Sequence, residues 1–281
     1  MYLGHSKITG FLGVLKSSSF LLIKEPKCRI PLIRSLNNTI FKQFCQIAFP
    51  QISLKIKQVY EMNSVTIDKV CIRWLGRAGF FLKGEDIKIY IDPFQINHEP
   101  SFDDKADILL ITHEHFDHCS PEDIRKVRRS DSTILIPESC SLEFSGDARR
   151  VAEGDILVEG LEIKGIRIEV LPAYNLNKPY HPRGFGVGYV VELGKTRIYH
   201  AGDCDFFPEM KSIRADVALL PIGGIYTMDE EEAASAVEVI SPKVAIPMHY
   251  GRLEGINGNP EKFKTLVQGK NPDINVIILD S

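Results

Sequence analysis

The stretch Ile108-Leu109-Leu110-Ile111-Thr112-His113-Glu114-His115-Phe116-Asp117-His118 decides how this chain is read. Its first four residues form an unbroken apolar run, the pattern of a buried strand. The last six residues hold three imidazoles and two carboxylates. The whole chain has only eight histidines, so three of them alternating with acids argue against an ordinary solvated loop. A strand ending in His-x-His-x-Asp-His presents nitrogen and oxygen donors from one tight loop. Borderline cations such as zinc take such donors, and a loop of this kind can serve two adjacent ions.

Working outward, three more candidate donors occur downstream. They are His181 in Tyr180-His181-Pro182-Arg183-Gly184, Asp203 in Tyr199-His200-Ala201-Gly202-Asp203, and His249 in Ile246-Pro247-Met248-His249-Tyr250-Gly251. The first motif, with these residues in this order and wide separation, resembles the metallo-β-lactamase superfamily from about residue 66 to the C-terminus. Within it, Tyr199-His200-Ala201-Gly202-Asp203 and Pro221-Ile222-Gly223-Gly224-Ile225-Tyr226-Thr227-Met228-Asp229 look like the small stand-alone metal-dependent hydrolases. That branch is similar to the ascorbate-phosphate lactonase and N-acyl-phosphatidylethanolamine phospholipase D groups.

The resemblance implies a four-layered αβ/βα sandwich with two mixed β-sheets. It also implies a binuclear zinc site, with Mn2+ or Fe2+ as alternative ions. His113 and His115 would bind the first ion, Asp117 and His118 the second; Asp203 would bridge both, and His249 would complete the second site. Asp117 and Asp203 are the carboxylates with catalytic weight. Paired zinc ions acidify a shared water to a bridging hydroxide at neutral pH and polarise the scissile oxygen. No serine or cysteine nucleophile is then required. The implied substrate is a small ester, lactone or phosphodiester.

The third donor of the first ion departs from the simplest family pattern. The run Ile168 to Ala173 leads to Tyr174-Asn175, so Asn175 stands where a histidine is expected, and His181 follows six residues later. Either the loop returns and His181 supplies the nitrogen, or the first site has an altered shell. His181 is the preferred reading, because a histidine beside Pro182 and near Arg183 has little other evident purpose.

Other residues carry less weight. His200 is read as packing or supporting the site. Cys119 and Cys204 follow candidate ligands but are more simply small buried cysteines. Asp92 could orient a ligand histidine or only cap a turn. Arg77, in Gly76-Arg77-Ala78-Gly79, stands where relatives often carry histidine and reads as a turn near the site mouth. Gly223-Gly224 would let backbone approach the site or make an ordinary tight turn. Lys178 and Arg183 could meet an anionic group of the substrate, which motivates an anionic small molecule, or could simply face water. His5 and His98 have no evident partner.

Composition sets the frame. The chain has 281 residues, 44% hydrophobic and 25% charged, ordinary for a soluble protein with a sizeable core. Residues 1–61 carry nine Lys/Arg against Glu25 and Glu61, a surplus of +7, so the net charge of −3 leaves −10 on the remainder. A basic extension at 1–62 and a hydrolase domain at 63–281 are therefore expected. The extension reads either as transit-like sequence or as sequence upstream of a working start at Met62; a helical or membrane-touching extension is a third reading. The acidic domain argues against nucleic acid as substrate. No apolar run of about 18 residues occurs, so no transmembrane helix is expected. Six scattered cysteines without a Cys-x-x-Cys pair fit a reducing compartment, and the cytoplasm is the expected location, with organelle targeting by 1–61 as alternative. Homo-oligomerisation is left open.

Strands are expected at Val70–Gly76, at Phe80–Leu82 and Ile87–Asp92 as a hairpin, at Thr133–Ile136, and at Ile156–Val158, Leu161–Ile163 and Ile166–Leu171. Val187–Leu193 and Thr196–His200 read as a second hairpin, and Val217–Leu220, Val244–Pro247 and Ile274–Leu279 as further strands. Helices are expected after Ser120-Pro121, over Asp229–Ile240 and over Pro260–Val267. Two other function classes compete with a hydrolase: a non-catalytic metal-binding or regulatory protein on the same fold, and iron redox chemistry. The full donor set disfavours the first, and the lack of room for a flavin domain disfavours the second.

Overall fold

The computed structural model describes residues 63–157, 163–251 and 256–280. The expectations for the extension at 1–62, and for strand residues between Val158 and Glu162, lie outside the described residues. Seven strands in sequence order build a first sheet: β1 (Ser64–Ile67), β2 (Val70–Gly76), β3 (Gly79–Gly84), β4 (Ile87–Ile91), β5 (Ala106–Leu110), β6 (Arg128–Pro137) and β7 (Ala148–Val151). Seven more build the second: β8 (Ile156–Leu157), β9 (Arg167–Ala173), β10 (Gly186–Leu193), β11 (Thr196–His200), β12 (Val217–Pro221), β13 (Val244–Met248) and β14 (Asn275–Val276). Among the described residues the α-helices are α1 (Pro121–Val127), α2 (Glu230–Ile240) and α3 (Pro260–Lys270).

Both sheets are mixed in the same way. In the first, β1 to β4 pair antiparallel and β4 to β7 parallel. In the second, β8 to β11 pair antiparallel and β11 to β14 parallel. In each sheet a four-stranded antiparallel meander therefore feeds a parallel stack, and the histidine and aspartate motifs follow strands of these stacks.

Period-two patterning packs the sheets face to face. Ile72, Trp74, Phe80, Leu82, Ile108 and Leu110 enter one buried cluster with Ile168, Val170, Tyr189, Val191 and Ile198 of the second sheet. The alternate residues Phe81, Tyr90, Leu109 and Ile111 face the other way and pack with Ile124 and Val127 of α1. All of β5 is buried, which is why its sequence is a continuous apolar run and not an alternating one. On the far side of the second sheet, α2 buries Ala233, Ala234, Ala236, Val237 and Ile240, and α3 buries Phe263 and Val267. The result is the four-layered sandwich expected.

Local sequence explains the helix starts. Ser120 Oγ accepts from the Asp123 amide, with Pro121 at the first helical position of α1. Asp229 and Glu232 form a reciprocal capping box at α2, with bonds of 2.8 and 3.1 Å. Several elements differ from expectation: Ile163, expected in a strand, makes only an isolated bridge to Ile166, and α3 runs on to Lys270. β6 begins at Arg128, directly after α1. The edge strand β7 was not anticipated: its sequence Ala148-Arg149-Arg150-Val151 carries exposed arginines, the charged dressing of a sheet edge, which hides the apolar alternation. The last strand pairs only over Asn275–Val276.

Candidate metal centre

The site lies where β5, β11 and β13 end. Asp92, one residue past β4, is fully buried in a left-handed conformation with φ of 44°. Its Oδ1 accepts from the Thr112 amide at 2.8 Å and its Oδ2 from Thr112 Oγ1 at 2.5 Å. Oδ2 also meets His118 Nδ1 at 2.7 Å. A carboxylate there holds Nδ1 and turns Nε2 inward. Asp92 is thus the orienting group of the His motif, and the turn-capping alternative is not its main role.

His113 Nε2 stands 3.0 Å from His115 Nδ1, and His115 Nδ1 stands 3.2 Å from His181 Nε2. The six-residue offset is resolved by Asn175. Asn175 N donates to His181 O at 2.7 Å, and Asn175 Oδ1 accepts from His181 N at 2.9 Å. Oδ1 also faces His181 Nδ1 at 3.0 Å. Asn175 therefore closes the loop on itself and presents the His181 ring by its Nε2. Its Nδ2 is tied to Asp205 Oδ1 and Tyr226 O.

Asp203 Oδ2 is the centre of the cluster. It lies 2.9 Å from His249 Nε2, 3.4 Å from His118 Nε2, 3.5 Å from His181 Nε2 and 4.0 Å from His113 Nε2. Asp117 Oδ2 lies 3.8 Å from His118 Nε2. Three triads have their donor atoms within 4.8 Å of one another: His113, His115 and His181; His113, His118 and Asp203; Asp117, His118 and His249. All seven residues singled out in the sequence come together.

Electrostatics match a cation-binding site. Burial, reinforced by the neighbouring His118, holds His113 well below the usual histidine range. Burial likewise lowers His115 and His249, and takes His181 down to about 4. Those rings are neutral at pH 7 and offer lone pairs. Burial pulls His118 down too, but Asp203 and Asp92 outweigh it and raise the ring well above its ordinary value. Burial would raise Asp203, yet His118 and His249 hold it well below the carboxylate range.

His118 Nε2, Asp203 Oδ1 and both ring nitrogens of His249 are buried without a hydrogen-bond partner among the described residues. The short His249–Asp203 approach is therefore a meeting of donor atoms without hydrogen-bond geometry. Buried orphaned polar atoms on histidine and aspartate are costly unless a ligand satisfies them. Divalent cations with mixed nitrogen and oxygen preference do so, and the donor set fits them.

Arg77 has more weight than a turn at the mouth. Its side chain is buried, and its Nε donates to Asp117 Oδ2 at 2.8 Å. Its carbonyl accepts from the His249 amide at 2.8 Å and from Trp74 Nε1 at 2.9 Å, joining the two sheets beneath the site. Arg77 and His249 both hold positive φ, 55° and 59°; such local strain is typical of constrained sites. Gly223 is needed by contact: a Cβ there would lie 2.6 Å from His249 O.

The remaining candidates fall outside the cluster. His200 donates from Nε2 to Ala78 O at 2.8 Å and accepts from Gly202 N, a packing role across the sheets. Cys119 and Cys204 are buried thiols pushed up by desolvation, and neither joins a donor triad among the described residues. His98 is exposed. Lys178 is held by Asp205 at 2.6 Å and Glu232 at 3.3 Å, and Arg183 by Glu153 and Glu209. Asp205 itself was missed. It is buried and accepts from Asn175 Nδ2, Leu176 N and Lys178 Nζ; its signal was the Asp203-Cys204-Asp205 spacing.

Two stacked mixed sheets with a histidine–aspartate cluster beyond the carboxyl ends of their strands are the arrangement of the metallo-β-lactamase fold. The family model described as a beta-lactamase superfamily domain matches residues 71–249, and the chain belongs to the metallo-β-lactamase superfamily. More particularly, it is similar to relatives carrying the name UPF0173 metal-dependent hydrolase. One from Methanopyrus kandleri is 34% identical over 222 residues, covering 74% of this chain and 96% of the relative. A solved structure from Parabacteroides distasonis superposes with a TM-score of 0.65 at 32% identity, covering 77% of this chain and 96% of that one. Igni18, a metallo hydrolase from Ignicoccus hospitalis, gives 0.63 at 27% identity, over 75% and 95%. Among the described residues no helix is long and apolar enough to cross a membrane.

Proposed function

We propose that this chain is a metal-dependent hydrolase with a binuclear site, acting on a small ester, lactone or phosphodiester. The observation that carries the proposal is the convergence of four imidazole Nε2 atoms on one oxygen of Asp203, within 4.0 Å. In this reading His113, His115 and His181 hold one ion, Asp117, His118 and His249 hold the other, and Asp203 lies between them. Zinc suits the imidazole-rich set best, with manganese or iron as alternatives. When bound, such ions supply a water acidified to hydroxide near neutral pH and polarise the scissile oxygen.

The chain's own residues do the rest. Asp92 and Asn175 fix the tautomers of His118 and His181 through Nδ1, so that Nε2 of each faces the cluster. Arg77 holds the Asp117 carboxylate in one rotamer. The hydrolase unit is proposed as residues 63–281. Cys71, Cys119, Cys140 and Cys204 are free thiols, in keeping with the reducing cytoplasm proposed for it. An anionic substrate finds little support, because Lys178 and Arg183 are already matched by carboxylates.

Two measurements test the proposal. Metal analysis by mass spectrometry should find about two transition ions per chain, the count of a two-metal site. A screen across lactones, thioesters, phosphomonoesters and phosphodiesters should find turnover that chelation abolishes and zinc restores. Metal-loaded protein inert across that screen would count against the hydrolase reading. Arg77→Met should weaken the second ion by about 10–100-fold, the usual cost of losing a group that orients a ligand, as read by chelator competition. Unchanged affinity would remove Arg77 from that role.

A further inference from the structure

The described residues include eight large hydrophobic side chains that are exposed: Phe102, Phe116, Ile156, Leu176, Tyr180, Ile225, Tyr226 and Val239. Five of the eight sit on three loops that carry or touch the metal centre. Phe116, 68% exposed, lies between His115 and Asp117. Leu176 and Tyr180 flank the loop closed by Asn175 and His181. Ile225 and Tyr226 follow Gly223, which packs against His249. Such clustering differs from singly scattered surface apolar residues, which need no explanation.

Two of these loops are joined, and Phe116 packs on Phe94 beside the His motif. The Tyr180 and Tyr226 rings meet edge to face at 4.6 Å, and Asn175 Nδ2 donates to Tyr226 O at 3.0 Å. Phe94 meets Phe116 edge on at 5.8 Å. Phe185 lies at 5.0 Å from the His115 ring and 5.8 Å from that of His113, giving the imidazoles an apolar flank. The described cations on the same loops are spent: Lys178 lies against Asp205 and Glu232, and Arg183 against Glu153 and Glu209. A rim that exposes aromatic and aliphatic surface while neutralising its cations is built for an apolar group.

We infer that the part of the substrate that does not react is an apolar chain or ring, received by Phe116, Leu176, Tyr180, Ile225 and Tyr226. The inference rests on the hydrolase reading for its placement at the metal centre. It names the occupant as the substrate's own acyl or aryl group, because Phe116, Leu176 and Tyr180 are immediate chain neighbours of His115, Asp117, Asn175 and His181, and Tyr226 packs on Tyr180. Aromatic side chains bring large apolar area at low rotameric cost, and an edge-to-face pair such as Tyr180–Tyr226 presents one firm wall.

The test is isothermal titration of the zinc-loaded full chain with straight-chain monocarboxylates from acetate to octanoate. The carboxylate anchors at the ions and the chain reports on the rim. Affinity should tighten by about fourfold per added methylene. The double variant Tyr180→Ser with Tyr226→Ser should flatten that dependence, and Tyr180→Phe with Tyr226→Phe should keep it. A parallel titration with 1-octanol, which lacks an anionic end, reads the rim without the anchor. Affinity independent of chain length, a slope that survives the serine variants, or absence of saturable octanol binding would overturn the proposal. So would a dimer in sedimentation that the serine variants dissociate, since the patch would then belong to a second copy. Failure of the hydrolase reading looks different: no metal is retained and acetate fails to bind, whereas octanol and octanoate still bind the rim, now with similar affinity.

Discussion

Asp203→Ala is expected to abolish the proposed binuclear site and to lower hydrolysis by roughly 10³-fold, the scale on which removal of one preorganised electrostatic partner acts. Asp203 Oδ2 is the oxygen on which His113, His118, His181 and His249 converge. Two adjacent dications repel, and a shared carboxylate offsets that repulsion. Without it the histidines and Asp117 remain, but the two positions lose their common donor. Metal content should drop from about two ions to about one or fewer. Asp203→Asn keeps the shape and removes the charge, so an equal loss in both variants assigns the effect to charge and not to packing. Full metal content with normal turnover in either variant would refute the bridging role.

The second large effect is expected at His181. His181→Ala should remove one ion selectively and depress hydrolysis strongly, because imidazole is a far better zinc donor than water or a neutral amide. Asn175→Ala should act more mildly, by about 10–100-fold, through a ring no longer held by its Nδ1 contact. Asn175 also closes the loop by the reciprocal bonds of 2.7 and 2.9 Å with the His181 backbone. Part of its effect should therefore be a local loosening, visible as faster amide exchange over residues 175–181. Equal loss in both variants would mean that Asn175 is itself a donor. A His181→Ala protein with full metal content would place the first ion on His113, His115 and Asp203 alone.

The sequence made the candidate donors legible because their chemistry is concentrated. His113 to His118 stand in six residues after an apolar strand, and Asp203 and His249 each end a strand of the second sheet. The hairpins were legible for the same reason: β2, β3 and β10 alternate or run apolar between glycine-bearing turns. What stayed hidden was contact between segments far apart in the chain. Arg77 reads as a turn residue because nothing local predicts Asp117, 40 residues on, at 2.8 Å. Asn175 reads as a misplaced ligand because its service to His181 depends on a loop closing through backbone bonds. Asp205 was masked by its neighbour Asp203. The edge strand β7 was masked by arginines, whose charge protects the edge and erases the pattern. The anionic substrate was inferred from Lys178 and Arg183, and their carboxylate partners lie 26 to 54 residues away in sequence.

The most direct test of the binuclear centre is anomalous X-ray diffraction at the zinc edge from crystals of the metal-loaded chain. The expected result is two peaks about 3.5–4 Å apart, the usual spacing of two-metal sites, with Asp203 between them. One should be ringed by His113, His115 and His181, and the other by Asp117, His118 and His249. A single peak, or peaks with Asp203 or His181 outside bonding distance, would contradict it.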